Sequence, residues 1–224
     1  MQVIPAILPH SFEELIDKLE RVDGLVPLVQ IDICDGIFGR EKTWIPQGDE
    51  KLPESFLYQF DIMVDKWRPV LLQTLTLGPA SIVMHVDLFT DEDINDLATI
   101  ISSHTIPLGI SVSNEKMIDF HADMIYKMKE KYPNIFIQVM GIRKVGEQGL
   151  IFDEETQERI RNLKKQFGDI KLQVDGGMSP ETARLVVHDG AEAVVVGSYI
   201  FGSEDAGEAL KNFEIIDMEQ EEMV

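Results

Sequence analysis

Acidic side chains occur at or near the ends of several apolar, strand-like segments of this chain. Asp32, Asp61 and Asp175 each belong to a different segment of this kind and are flanked by Ile, Phe, Met or Val. Gln30 lies two residues before Asp32, so in a strand the two side chains share one face. Buried carboxylates are costly unless they are paired, protonated or bound to a cation. The pattern therefore predicts an acid/base pair, a cation site, or both.

Two glycine-containing turns follow the last two apolar segments. Val174-Asp175-Gly176-Gly177 is followed, about one βα unit later, by Val194-Val195-Val196-Gly197-Ser198. Glycine lets a backbone approach a ligand closely, and helix N-termini present unpaired N–H groups to anions. Two ordinary turns could have the same composition, but the last two strands of a (β/α)8 barrel hold a phosphate with turns in this order. We therefore predict a phosphate site formed by Gly176, Gly177, Gly197 and Ser198.

Strand-like segments alternate with helical patterns along the whole chain. Such an alternation specifies a parallel sheet, and the number of strands favours closure into a (β/α)8 TIM barrel. We predict one barrel domain over residues 1–215 and an acidic C-terminal tail over residues 216–224. The predicted strands lie at about residues 2–8, 28–34, 57–64, 80–86, 106–112, 134–140, 170–175 and 193–197. The predicted helices lie at about 11–22, 67–76, 91–102, 115–131, 154–167, 179–189 and 203–215.

The composition restricts the class of partner. The chain has 224 residues, 44% of them hydrophobic, and a formal net charge of -20. Such a charge repels nucleic acid and anionic lipid, so we expect neither as a partner. No apolar run is long enough to span a membrane, and the single cysteine, Cys34, is consistent with a cytoplasmic protein. The sequence leaves the oligomeric state open, a homo-oligomer included.

The chain resembles the ribulose-phosphate 3-epimerase family over essentially its whole length. The resemblance implies an isomerase of the ribulose-phosphate-binding barrels, acting in cytoplasmic carbohydrate metabolism on the pentose phosphate pathway. Its substrate would be a small sugar phosphate, with ribulose 5-phosphate and xylulose 5-phosphate as the expected pair. The matching segments are 5–8, 30–38, 61–64, 84–86, 140–148, 174–177 and 197–203.

The resemblance assigns catalysis to two aspartates, Asp32 and Asp175. In the family, one aspartate removes the proton at C3 of a ketopentose 5-phosphate, and the other delivers a proton to the opposite face of the resulting ene-diolate. Abstraction of a proton next to a carbonyl needs a positioned base and a way to disperse the developing oxyanion. In the family a divalent metal stabilises that charge.

The metal positions depart from the family pattern. The family uses two aspartates and two histidines, whereas Gln30 and Asp61 stand here at the histidine positions. The implied ligand set of Gln30, Asp32, Asp61 and Asp175 offers only oxygen atoms, which suits Mg²⁺ or Mn²⁺ better than Zn²⁺. The alternative is that the metal site has been lost and that Asp61 only forms hydrogen bonds.

The resemblance also implies contacts with the substrate. Met63 and Met140 match methionines that line the reacting carbon, and His85 would bond the substrate or a neighbouring carboxylate. Gly146 and Gln148 retain part of the phosphate-binding loop of the family. Cys34 replaces a third methionine and is interpreted as a small core residue.

The same loop contains two cations that the family lacks, Arg143 and Lys144. They either clamp the phosphate or pair with the Glu-rich helix that follows Phe152. Outside the site, the remaining histidines are predicted to lie at the surface: His10, His104, His121 and His188. Met117, Met124 and Met128 share one helical face and are predicted to be core residues.

Two other classes of function remain as alternatives. One is a different sugar-phosphate reaction on the same barrel, such as aldol cleavage, decarboxylation or another epimerisation, which altered metal ligands would accompany. The other is a barrel that binds a phosphorylated metabolite without turning it over. Fold alone cannot choose among them.

Overall fold

A computed structural model describes residues 1–113 and 118–221, without the side chains of Leu88, residues 118–120 and residues 215–221. Eight parallel strands follow one another around a closed barrel, and the eighth pairs with the first. This architecture confirms the predicted (β/α)8 TIM barrel. The strands are β1 (Gln2–Ile7), β2 (Leu28–Cys34), β3 (Leu57–Met63), β4 (Ser81–His85), β5 (Leu108–Val112), β6 (Ile135–Met140), β7 (Leu172–Asp175) and β8 (Ala193–Val196).

Helices follow every strand of the described chain except β2, which is joined to β3 by residues 35–56 without a helix. The last helix continues to Glu221, into the segment predicted as an acidic tail. The part of the predicted fourth helix before Ile118, including Met117, and tail residues 222–224 lie outside the described residues. The helices are α1 (Phe12–Glu20), α2 (Trp67–Leu75), α3 (Asp91–Ser102), α4 (Ile118–Lys131), α5 (Glu155–Phe167), α6 (Pro180–His188), α7 (Ser198–Phe201) and α8 (Ala206–Glu221), with a 3₁₀ turn at Val86–Leu88.

Helix α6 illustrates how the local sequence determines an element near the site. Ser179 caps the helix by accepting a hydrogen bond from the N–H of Thr182, and Pro180 occupies the first turn, where its missing N–H costs nothing. The Thr182 hydroxyl also donates to the carbonyl of Gly177 at 2.9 Å. The start of the helix is therefore fixed to the glycine turn that follows β7.

The two faces of the strands differ in polarity. One face packs beneath the helices in a continuous apolar core that includes Ile31, Phe60 and Ile62, all of them buried. The opposite face of the strands fills the barrel interior, where a small apolar cluster of Ile4, Ala6, Ala193 and Val195 lies beside buried polar side chains. Bulky branched residues dominate the interiors of most such barrels, so this interior is unusually polar.

One histidine of helix α4, His121, does not lie at the surface as predicted. His121 is buried, with its Nε2 atom 2.9 Å from Asp87 Oδ1 and its Nδ1 atom 3.1 Å from Arg159 Nη1. The prediction was wrong because helix position alone does not show that a neighbouring helix covers the imidazole. The other three histidines predicted at the surface, His10, His104 and His188, are exposed, and Met124 and Met128 are core residues as predicted.

No helix in residues 1–113 and 118–221 combines the length and the apolar character that crossing a membrane requires.

Candidate active site

Three carboxylates from three strands converge inside the barrel near its C-terminal end. Asp32 of β2 and Asp61 of β3 are buried and lie in register with each other, and half-buried Asp175 ends β7. One oxygen atom from each of the three carboxylates lies within 4.8 Å of the others. The structure therefore brings together all three aspartates that the sequence singled out.

Two carboxamides and an imidazole hold these carboxylates. Gln30 Nε2 donates to Asp32 Oδ1 at 2.8 Å and to Asp175 Oδ2 at 2.9 Å. Gln138 Nε2 donates to Asp61 Oδ2 at 2.7 Å. His85 Nε2 lies 2.9 Å from Asp61 Oδ1, so a carboxylate is the partner of this imidazole. Because the donors, Asp32 and Asp61 are buried, the cluster forms a polar network inside the barrel, which half-buried Asp175 connects to the surface.

A second row of polar side chains fixes the orientation of the two carboxamides. Gln59 Nε2 donates to Gln30 Oε1 at 2.7 Å, and Gln173 Nε2 donates to Gln138 Oε1 at 2.6 Å. The carboxamide oxygen atoms of Gln30 and Gln138 accept these hydrogen bonds. Their N–H groups therefore face the carboxylates. The orientation is thus set by residues that do not touch the acids.

Sequence reasoning missed Gln59, Gln138 and Gln173. A signal was present, because a glutamine lies two residues before an inward-facing site residue in four strands. The pairs are Gln30 with Asp32, Gln59 with Asp61, Gln138 with Met140, and Gln173 with Asp175. A strand period of two places both members of each pair on the same face.

Burial makes two carboxylates of the cluster, Asp32 and Asp175, reluctant to ionise. Loss of solvation raises the pKa of Asp32 well above its usual value, and the neighbouring charges of Asp175 and Asp61 raise it further. Burial, with a further contribution from Asp61, raises the pKa of Asp175 to about 7. The hydrogen bonds from Gln30 oppose both shifts. At least one of these acids can therefore hold a proton near neutral pH.

A cavity opens above the cluster, at the C-terminal ends of the strands. Gln30, Asp61 and His85 lie beneath it and do not line it. The predicted site residues that line it are Asp32, Met63, Met140, Gly146, Gln148, Asp175, Gly176, Gly177, Gly197 and Ser198.

The glycine turns are closely packed by the loop after β6. Gly177 has a φ of 68°, and a Cβ atom there would lie 2.7 Å from the Cα atom of Phe152. A Cβ atom on Gly197 would lie 2.7 Å from the Nε2 atom of Gln148. Only glycine fits at Gly177, where the neighbour is backbone, and the packing at Gly197 brings the Gln148 carboxamide to the start of α7.

The two loop cations do not line the cavity. Arg143 donates to Asp153 at 2.6 Å and to Glu155 at 2.9 Å, as in the alternative that pairs it with the helix after Phe152. The cavity lining among the described residues contains three acids, Asp32, Glu147 and Asp175, and neither lysine nor arginine. An anionic ligand would therefore depend on N–H donors or on a bound cation.

Cys34 lies outside the chemistry of the site. Its Sγ atom is buried and contacts Met63 Sδ at 3.9 Å, and burial raises the pKa of the thiol. A Cβ atom on Gly39 would lie 2.7 Å from this sulfur. The side chain is a packed core residue without thiolate character.

Carboxylates at the C-terminal strand ends, with a cavity bounded by glycine turns after β7 and β8, define a TIM barrel of the sugar-phosphate class. The model of the ribulose-phosphate 3 epimerase family matches residues 2–201. The chain belongs to this family.

Curated relatives and solved structures agree with this placement. The cytoplasmic isoform of ribulose-phosphate 3-epimerase from Oryza sativa subsp. japonica is 24% identical over 213 residues, covering 93% of this chain and 91% of the relative. The chloroplastic ribulose-5-phosphate-3-epimerase of Arabidopsis thaliana is 26% identical, covering 93% and 74%. The crystal structure of a 3-hexulose-6-phosphate synthase has a TM-score of 0.70 at 17% identity, covering 96% of this chain and 99% of that one, and shares the fold.

Proposed function

We propose that this protein is an epimerase that inverts the carbon next to the carbonyl of a ketose phosphate, with ribulose 5-phosphate and xylulose 5-phosphate as its substrates. One observation carries the proposal. Asp32 and Asp175 reach one cavity from β2 and β7, two strands that are not neighbours in the barrel. Inversion requires two acid/base groups on different faces of one carbon, and the position of these carboxylates on two separate strands supports such an arrangement.

The two carboxylates exchange roles during turnover. An ionised carboxylate removes the C3 proton from one face, and the protonated partner delivers its proton to the other face of the ene-diolate. The raised pKa of Asp32 and of Asp175, the latter to about 7, supports a state with one proton shared between them. Gln30, which donates to both, keeps the two carboxylates at a fixed separation.

The substrate phosphate is placed at the glycine turns. Backbone N–H groups at Gly177, Gly197 and Ser198 and the carboxamide of Gln148 provide neutral donors around that part of the cavity. Met63 and Met140 line the opening closer to the acids and exclude water from the reacting carbon.

The donor set fits a hard divalent ion. Carboxylate and carboxamide oxygen atoms are the ligands that Mg²⁺ and Mn²⁺ prefer. The terminal atom of Gln30 lies 2.8 and 2.9 Å from oxygen atoms of Asp32 and Asp175, and Asp61 is the third carboxylate of the group. Mg²⁺ or Mn²⁺ held by these residues would supply positive charge that disperses the developing oxyanion. Gln30 presents N–H groups here and would become a ligand by turning its carboxamide.

Deuterium exchange tests the proposal. In D₂O, we expect the purified protein to exchange the C3 hydrogen of ribulose 5-phosphate and to form xylulose 5-phosphate, both followed by ¹H NMR. The protein is first treated with EDTA and then measured with and without Mn²⁺. Binding of the sugar phosphate without exchange or product would point to a non-catalytic barrel. Products of carbon–carbon bond cleavage would instead indicate another reaction on this scaffold.

A higher ionic strength should increase kcat/KM of this protein. A net charge of -20 and an acidic cavity lining repel a sugar phosphate dianion over a distance. Salt between about 10 and 150 mM shortens the Debye length from about 30 to about 8 Å. We expect kcat/KM to rise by about two- to fivefold over this range. A fall in steady-state kcat/KM across the same NaCl series would contradict the expectation and would indicate unrecognised cationic donors.

A further inference from the structure

Three buried side chains form a row that leads from the N-terminal end of the barrel to the carboxylates. Ser81 Oγ donates to Gln59 Oε1 at 3.1 Å, and Gln59 Nε2 donates to Gln30 Oε1 at 2.7 Å. Gln30 Nε2 then donates to Asp32 and Asp175. Each side chain of the row thus donates a hydrogen bond to the next one, from the Ser81 hydroxyl to the two acids.

The hydrogen bonds of this row can be donated in either direction along it. A carboxamide donates from one terminal atom and accepts with the other, and turning it by half a rotation exchanges the two. A serine hydroxyl both donates and accepts, so Ser81 can end the row in either polarity. If both glutamines turned, Gln30 Nε2 would donate to Gln59, Gln59 Nε2 would donate to Ser81, and Gln30 Oε1 would face the carboxylates. No hydrogen bond within the row would be lost.

The charge at the carboxylates determines which direction is favoured. Ionised carboxylates only accept, so without a cation they favour the N–H groups of Gln30. A divalent ion among them favours an oxygen atom in the position that Gln30 Nε2 occupies, next to Asp32 and Asp175. Gln138 differs, because its N–H group is bound to Asp61 at 2.7 Å and has no hydroxyl-ended row of this kind among the contacts described.

We propose that Ser81 and Gln59 are positioning residues that allow Gln30 to change from a hydrogen-bond donor into a metal ligand when a divalent ion binds. Reversal of the row leaves each side-chain nitrogen and oxygen atom of the three residues with at least one partner in both states. The inference rests on the proposed function only in taking a divalent ion as the occupant of the carboxylate cluster. Ser81 contacts neither the acids nor the cavity, so it acts entirely through Gln59.

Mn²⁺ binding by Ser81 variants, measured by electron paramagnetic resonance without substrate, tests the proposal. Ser81→Ala removes the hydroxyl at the end of the row. In the observed direction, Gln59 Oε1 then loses its donor. In the reversed direction, a Gln59 N–H group loses its acceptor. An orphaned buried N–H group is the rarer and less tolerated of the two. We expect Ser81→Ala to weaken Mn²⁺ binding by about five- to tenfold. Ser81→Thr keeps the hydroxyl and should restore the wild-type affinity.

A second pair of variants separates the turn of Gln30 from general damage to the barrel interior. Gln30→Leu removes the oxygen that would become a ligand and should weaken Mn²⁺ binding by at least about tenfold. Gln138→Leu, which removes the N–H donor to Asp61 but no expected ligand, is the matched comparison and should weaken Mn²⁺ binding clearly less than Gln30→Leu does. Melting temperatures measured for both variants identify any loss of folding.

The wild-type protein provides a test that needs no variant. With ¹⁵N-labelled glutamine, Mg²⁺ should shift the side-chain NH₂ resonances of Gln30 and Gln59 much more than that of Gln173. Equal shifts, unchanged Mn²⁺ affinity in Ser81→Ala, equal weakening in Gln30→Leu and Gln138→Leu, or no Mn²⁺ binding by the wild type would each overturn the proposal. None of these outcomes affects the deuterium-exchange test, so the epimerase proposal stands or fails separately.

Discussion

In the Asp175→Asn variant, epimerisation of ribulose 5-phosphate should fall by about 100- to 10,000-fold, while hydrogen exchange at C3 persists for one of the two epimers. The substitution keeps the size of the side chain and removes one acid/base group. Asp32 can still take a proton from the face it reaches and return a solvent deuteron to that face. The substrate therefore exchanges without inverting, which ¹H NMR in D₂O detects from each epimer separately.

Asp32→Asn completes the comparison. It should retain exchange with the other epimer and lose inversion to a similar extent. Glu130→Gln, which removes a carboxylate from the exposed surface of α4, should leave both activities unchanged. If both site variants exchanged the same epimer, the two carboxylates would act on one face, and the assignment of opposite faces would be wrong.

The metal-free protein should be less stable at pH 8 than at pH 5, and Asp175→Asn should remove part of that difference. Burial raises the pKa of Asp175 from 3.8 to about 7 in the folded protein. Between these values the folded state holds a proton that the unfolded chain has released, so raising the pH through this window favours unfolding. Above about pH 7 the wild-type protein carries the full cost of a buried carboxylate.

We expect Asp175→Asn to raise the melting temperature by roughly 5 °C at pH 8. The shift from 3.8 to about 7 corresponds to at most about 4 kcal/mol at about 1.4 kcal/mol per pKa unit, and solvent screening of the half-buried side chain reduces this to about 2 kcal/mol, each of which is worth about 2–4 °C. The gain should be much smaller at pH 5, where the wild-type carboxyl is already neutral. Thermal unfolding in EDTA at both pH values provides the measurement. Glu130→Gln changes the charge equally at the surface and should show no such pH-dependent gain. A gain that is larger at pH 5 would contradict the sign of this argument.

The fold could be predicted because the strand and helix periods differ and alternate without a break. The same alternation placed Asp32, Asp61 and Asp175 at C-terminal strand ends, where the side chains of a closed barrel converge. The inward direction of all three then followed from the apolar residues beside them. These inferences depend on local pattern, which a single sequence contains.

The hydrogen-bond directions could not be predicted in this way. The spacing places Gln59, Gln138 and Gln173 on the inner face of their strands, but it does not show which groups their carboxamides bind. Their importance depends on which residues lie across the barrel, and therefore on register between strands that are far apart in sequence. His121 shows the same limit, because its burial depends on contacts with Asp87 and Arg159 outside its own helix.

Closure of the ring by pairing of β8 with β1 has a consequence for biosynthesis. Gln30 and Asp175, joined by one hydrogen bond, are 145 residues apart in the chain. Contacts of such high sequence separation form late, after a large loss of chain entropy. A nascent polypeptide therefore leaves the ribosome with Asp32 and Asp61 already made but without Asp175, and the carboxylate cluster can assemble only after β7 and β8 have emerged.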